Sequence, residues 1–270
     1  MEGIGVYIIL AAAGLVAGIV NAAVGSGTLF TYTALLAAGV PPIMANGTNT
    51  AGLFPGAGAS AWAYRRELSG RWRELRGPLV ANALGAAVGA LAVVLLPEKV
   101  FTSIVPWLIA GATALVALQP LRKRLASRRR APTGSEPGSE PGSEPATFNG
   151  VQKSRRRLWP WMSVIGVYAG YFGAAQGIML MAALTWRYDS NVQNSNAAKN
   201  VFGGVANAAA AAVFLAFGYV LWPAVATLAI ASIVGGYLGG RLARTFPPSV
   251  LRALVVAVGV VATLWLLFRY

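Results

Sequence analysis

The sequence predicts an all-α polytopic membrane protein made of two inverted-topology repeats. Each repeat carries about five helical segments, giving 8–10 transmembrane segments with room for re-entrant hairpins. Three observations lead there. The first is composition: of 270 residues, 56% are hydrophobic and 11% charged, and Gly3 to Tyr64 carries no charge at all. Uncharged apolar runs of about 20 residues are membrane-helix candidates, and these lack the polar face of a soluble core helix. The second is repetition. Gly14, Ala17, Gly18, Ala22, Ala23 and Gly25 return as Gly166, Ala169, Gly170, Ala174, Ala175 and Gly177, each 152 positions on. Gly85, Gly89, Pro97, Val100 and Ala112-Thr113 return as Gly235, Gly239, Pro247, Val250 and Ala262-Thr263, each 150 positions on. The third is the placement of arginine and lysine, which sets the sense of each crossing.

The apolar segments of the first half are read at 3–24, 28–38, 47–64, 78–96 and 100–118. Those of the second are read at 161–173, 177–187, 197–219, 221–241 and 250–268. The second segment of each half is too short to cross a hydrocarbon core of about 30 Å upright, so each first pair is read as two crossings or one hairpin. Basic stations follow the third, fifth, seventh and ninth segments: Arg65 to Arg76, the runs from Arg122 to Arg157, Arg187, and Arg241 with Arg244. That places them on one, cytoplasmic, side. The first half then begins outside and the second inside, with both termini extracytoplasmic. Trp62, Trp72, Trp107, Trp159, Trp161, Trp222 and Trp265 lie near segment ends, as interfacial anchors do.

The domain reading is a first repeat at 1–118, a linker at 119–158 and a second repeat at 159–270. The linker repeats Gly134-Ser-Glu-Pro in tandem between basic runs, a composition that buries no core and is expected to be disordered and cytoplasmic. Its arginines are expected on anionic lipid headgroups.

Function classes narrow by what is missing. The chain has no cysteine and no histidine, which excludes thiol nucleophiles, thiolate metal sites and imidazole proton relays. No metal site, cofactor or catalytic residue is expected. The net charge of +14 sits beside apolar segments, where it reads as a topology signal for the lipid bilayer and not as nucleic-acid binding. Carboxylates lie in loops. Asp189 is expected to pair with neighbouring Arg187. Cation transporters usually carry an intramembrane acid, so this chain is expected to prefer anions or neutral polar solutes.

Candidate binding residues cluster at two kinds of place. Each half has a glycine-rich break after its first segment: Asn21-Ala-Ala-Val-Gly25-Ser26-Gly27-Thr28 in one, Gly173-Ala-Ala-Gln176-Gly177 in the other. A helix restarting at such a break presents unpaired backbone N–H groups that attract anions. Asn21, Ser26, Thr28 and Gln176 add neutral hydrogen-bonding groups. Gly14, Gly18, Gly166 and Gly170 read instead as close helix packing. Polar clusters follow each short segment: Asn46-Gly-Thr48-Asn49, and Asn191 to Asn200. They are either interfacial N-caps or the far wall of a cavity, with Thr48, Asn49 and Asn200 pointing in. Lys199 either pairs with an anionic substrate or snorkels to the interface.

Asn21-x-x-x-Gly25-x-Gly27, Gly39-Val-Pro41 and Ala45-Asn-Gly-Thr48-Asn49 resemble the TauE/SafE family of membrane transporters, as does Gly170-x-x-Gly173-x-x-x-Gly177 in the second half. The resemblance spans both halves apart from the linker. It implies export, or in a few members import, of sulfite, sulfoacetate, thiosulfate or a related small sulfur-containing anion across the inner membrane. Alternating access around the breaks is the expected mechanism. A non-transporting membrane scaffold is the alternative, and predicts dry, packed breaks. A membrane enzyme is disfavoured for want of acid–base groups. The sequence sets no oligomeric state, and a homodimer is compatible with it.

Overall fold

The computed structural model describes residues 3–129, 158–189, 191–242 and 248–269. The regular elements among these residues are ten helices: α1 (Ile4–Ala23), α2 (Thr28–Ala37), α3 (Pro42–Ala63), α4 (Trp72–Leu95), α5 (Glu98–Arg129), α6 (Leu158–Tyr171), α7 (Gln176–Arg187), α8 (Val192–Ala216), α9 (Trp222–Leu242) and α10 (Pro248–Arg269). The GSEP repeats, Arg155–Arg157 and Arg244 lie outside the described residues.

The segments read from hydropathy are present, but several helices start earlier than apolarity alone suggests. α3 begins at Pro42 because proline at a first-turn position lacks only an N–H that would be unpaired there anyway. α8 begins at Val192 because Asn191 caps it, its side chain accepting from the Gln193 and Asn194 amides at 2.9 and 3.4 Å. Both polar clusters thus lie at and inside helix starts. α5 continues to Arg129, into the segment assigned to the linker.

Among the described residues, five helices can cross a membrane by length and composition: α1, α4, α5 as far as Leu118, α8, and α9 as far as Arg241. α3 has 22 residues, but Asn46, Thr48, Asn49, Thr50 and Ser60 make it too polar to qualify, and all five are buried. α2 and α7, with 10 and 12 residues, reach only about 15–18 Å at a rise of about 1.5 Å per residue. The surface is inside-out relative to a soluble protein. Ile4, Leu84, Leu95, Trp107, Trp222, Ile230 and Val261 face outward, while Asn46, Asn82, Asn196, Lys199 and Asn200 are buried. Large apolar surfaces of this kind fit lipid, and polar groups within the span turn inward.

The halves interlock instead of standing side by side. α1 packs along α9 and α4 along α6; α3 crosses α9 and α4 crosses α8; α3 meets α8 and α5 meets α10. Exchanging first-half and second-half helices maps each of these packings onto another or onto itself. The repeated glycines make the closest of these contacts. A Cβ on Gly18 would lie 2.7 Å from the Gly236 nitrogen, and one on Gly239 2.6 Å from Ile19 Cα. One on Gly170 would lie 2.8 Å from Ala86 Cα, and one on Gly89 2.8 Å from the Tyr171 nitrogen. These are backbone-to-backbone approaches, the small-residue packing that holds helices together in lipid.

Candidate functional site

Both broken segments end in the same way. At the end of α1 the amides of Val24 and Gly25 both donate to the Val20 carbonyl, at 2.7 and 2.9 Å, and Gly25 has φ +87°. At the end of α6 the amides of Phe172 and Gly173 both donate to the Tyr168 carbonyl, at 3.0 Å each, and Gly173 has φ +73°. A glycine in this left-handed conformation stops a helix without strain. The Tyr168 hydroxyl closes the second break by donating to the Ala174 carbonyl.

The two breaks touch. The Gly177 amide donates to the Gly25 carbonyl at 3.1 Å, and a Cβ on Gly25 would sit 2.5 Å from Gly177 Cα. One helix-start amide is therefore used by the opposite break. Another, Gly27, is taken by Asn21 Oδ1 at 2.6 Å.

A helix that stops inside a bilayer leaves carbonyls with no water to receive. The amide clusters meet this need across the halves. Asn46 Nδ2 donates to the Tyr171 carbonyl at 2.9 Å, and Asn196 Nδ2 donates to the Ala22 carbonyl at 3.3 Å. Lys199 Nζ joins the second group, donating to the Asn21 and Ala22 carbonyls at 2.9 and 3.1 Å. Lys199 is 3% exposed, so it does not snorkel; its amine is buried at the C-terminus of α1, where the helix dipole favours positive charge. None of the described carboxylates forms an ion pair with it. With two of three ammonium protons used, one remains.

Beside this group lies a cavity of about 30 Å³, room for one or two waters. Of the residues singled out from sequence, Asn21, Gly25, Gln176, Gly177, Lys199 and Asn200 line it. Its polar atoms are unevenly satisfied. Gln176 Nε2 donates to Asn207 Oδ1 at 3.3 Å, while Gln176 Oε1 and Asn200 Nδ2 are buried without a partner. The lining thus holds a buried lysine, one unpaired amide donor and one unpaired amide acceptor.

Other singled-out residues are placed elsewhere. Thr48 accepts from the Leu221 amide at 3.0 Å, tying α3 to the start of α9. Asn49 accepts from the Thr31 hydroxyl within its own half. Ser26, Gly27 and Thr28 are buried next to the break but are not part of the lining. Ala57, Ser60, Leu180, Gly203 and Asn207 line the cavity and were not singled out. A helical signal for some of them existed: Lys199, Gly203 and Asn207 are spaced four apart, on one face of α8. Asp189 forms its ion pair with Arg71, 118 positions away, instead of with the expected Arg187, which lies over the Trp186 ring at 4.0 Å. Asp189 also accepts from the Asn191 amide at 2.8 Å and from Asn194 Nδ2 at 2.7 Å.

A family model described as "Sulfite exporter TauE/SafE" matches residues 10–266. A "Probable membrane transporter protein" of Haemophilus influenzae is 27% identical over 261 residues, 97% of this chain and 94% of that protein. The "Probable membrane transporter protein ORF9" of a Sinorhizobium species is 27% identical over 256 residues, covering 94% and 90%. "Probable membrane transporter protein YfcA" of Escherichia coli K12 is 22% identical over 254 residues, covering 94% and 87%. No solved structure matches the chain.

Proposed function

Because this multi-pass membrane transporter belongs to the sulfite exporter TauE/SafE family, we propose that it moves a small sulfur oxyanion or organosulfonate out of the cell by alternating access. The single observation that carries the substrate class is Lys199: a buried lysine, without an acidic partner among the described residues, on the wall of a cavity where the two breaks meet. Burying an ammonium costs several kcal/mol unless it is compensated. Two carbonyls compensate in part, and an anion in the cavity completes the compensation. Asn200 Nδ2, unpaired and buried, supplies a second donor.

The exchange of packings between halves supports a pair of inverted repeats, the architecture in which sites lie where broken helices cross. At about 30 Å³ the cavity is in a closed form, and admitting the anion requires the halves to part around Gly25 and Gly177. Export needs no protein carboxylate. A dianion leaving a negative-inside cell through 100 mV gains roughly 4.6 kcal/mol. The breaks pack closely, as a structural scaffold also requires; the cavity and its unpaired polar atoms beside them are what favour transport.

The test is flux of labelled sulfite, thiosulfate and sulfoacetate from proteoliposomes with an imposed potential. Potential-driven efflux of at least one is expected; no flux of any would end the proposal.

A further inference from the structure

A second hollow lies at the joint ends of α3 and α9. It has a volume of about 250 Å³, against about 30 Å³ for the inner cavity, and is lined by Ala63, Arg65, Arg66, Tyr237, Gly240 and Arg241, with Glu67 as its carboxylate. Three arginines and one glutamate thus line one concave space. Two of the three are held by their neighbours. Arg65 donates from Nη1 to the Trp62 carbonyl at 3.2 Å and lies over the Trp62 ring at 5.0 Å, and Arg241 lies over the Tyr237 ring at 4.5 Å. Stacking occupies the guanidinium face and leaves its edge N–H groups for the in-plane, paired bonds that oxyanions accept.

The hollow adjoins the inner cavity. Ala57 and Ser60 line the inner space and Ala63 the outer one, at spacings of three along a single face of α3. Ser60 Oγ donates to the Gly236 carbonyl at 3.1 Å, and a Cβ on Gly240 would lie 3.5 Å from the Ser60 carbonyl oxygen. The three arginines are exposed, and all three line one pocket.

We propose that this arginine-lined hollow is a second anion-binding site, an antechamber that collects the small oxyanion before it enters the inner cavity. The proposal rests on the transport reading for its substrate, but it makes a separate claim about binding. A cleft of one charge sign raises local anion concentration and on-rate, by roughly 10-fold to 1000-fold.

The experiment compares wild type, K199M, R66Q/R241Q and the triple variant. Equilibrium binding of labelled sulfite is measured in neutral detergent with no lipid added, and sulfite flux in phosphatidylcholine proteoliposomes. K199M is expected to keep a weaker, salt-sensitive binding that the triple variant loses. R66Q/R241Q is expected to raise the apparent KM for sulfite presented from the arginine side about tenfold, with maximal flux changed less than twofold. A wild type that transports sulfite while K199M binds none overturns the antechamber alone. A wild type with arginine-dependent binding but no flux of any sulfur anion overturns the transport reading alone. A lipid phosphate shares this chemistry, so phosphatidylglycerol is added in a second arm. Loss of the arginine-dependent binding there makes the hollow a headgroup site and overturns the proposal.

Discussion

Replacing Lys199 by methionine separates its structural part from its functional one. The substitution removes two charge-assisted hydrogen bonds, to the carbonyls of Asn21 and Ala22. Each is worth about 1.5–3 kcal/mol. The Ala22 carbonyl keeps its bond from Asn196, so only the Asn21 carbonyl is stranded, at about 1–3 kcal/mol. Against that, K199M no longer buries a cation, a burden of several kcal/mol per ion. The opposing effects are of similar size, and methionine fills the same apolar stem. Net stability is therefore expected to change by no more than about 2 kcal/mol. Ligand response behaves differently. At 100 times its dissociation constant an anion stabilises wild type by about 2.7 kcal/mol, and K199M should show little of this. The assay is thermal unfolding of purified protein in detergent, with and without sulfite, thiosulfate or sulfoacetate. A K199M protein that folds and still responds fully to the same anion would refute the assignment of Lys199 to the site.

Three further outcomes follow from the geometry. Gly25 and Gly39 have nearly equal φ, +87° and +82°, but a Cβ on Gly39 meets nothing within 4 Å. G39A should therefore cost only the conformational part, about 1 kcal/mol, and G25A about 2–4 kcal/mol in thermal unfolding; equal costs would mean that the breaks do not touch. Partial burial pushes the Asp189 carboxyl up, but hydrogen bonds from the Asn191 amide, the Asn194 side chain and Arg71 outweigh it and hold it below the usual carboxylate range. Its stabilisation is thus complete above the ordinary carboxylate pKa and is lost as pH falls below about 4. Acid unfolding of D189N should be flatter through that window by about 1 kcal/mol, since Arg71 is partly exposed; superimposable curves would show the Arg71 contact to be idle. Finally, N46A and N196A each remove a cap from the broken helix of the opposite half. Both should lower the unfolding temperature, N46A more because Tyr171 has no lysine beside it; the reverse order would contradict the capping account.

The fold was readable where physics acts locally. A charge-free apolar run and a glycine that must turn leave marks in neighbouring residues, so both breaks were visible. The repeated Gly14/Gly18 and Gly166/Gly170 stripes also read correctly as packing surfaces. The polar clusters misled about helix starts, because amides in a membrane sequence look like loops until the carbonyls they cap are known. Those carbonyls belong to the other half, 125 positions from Asn46 and 174 from Asn196. The same distance hid the partner of Asp189: Arg187 is its neighbour in sequence, but the chain folds Arg71 onto it. Ser60 and Asn207 were missed because a lone small polar residue within an apolar helix has no local signature. Only the helical spacing from Lys199 places Asn207 on the lining face.

The scaffold is nearly symmetric in its packing, but its charge is not. Asn46 and Asn196 do the same work for opposite halves. Three positions on, the halves part company. Asn49 accepts from Thr31 and stays within its own half, whereas Lys199 reaches across to the end of α1. The cavity opens beside the lysine, so one side of the crossing carries an amine in its wall that the other lacks. That asymmetry connects binding to movement. The bonds that hold Lys199 to α1 are the ones an arriving anion competes for, because the ammonium has only three protons to share. An anion that draws the ammonium toward itself weakens the tie between α8 and the end of α1, at the place where Gly25 and Gly177 must separate. In the proposed mechanism the substrate thus loosens the closed form by the same contact that recognises it, which satisfies the requirement that a ligand shifting a conformational equilibrium bind its states unequally.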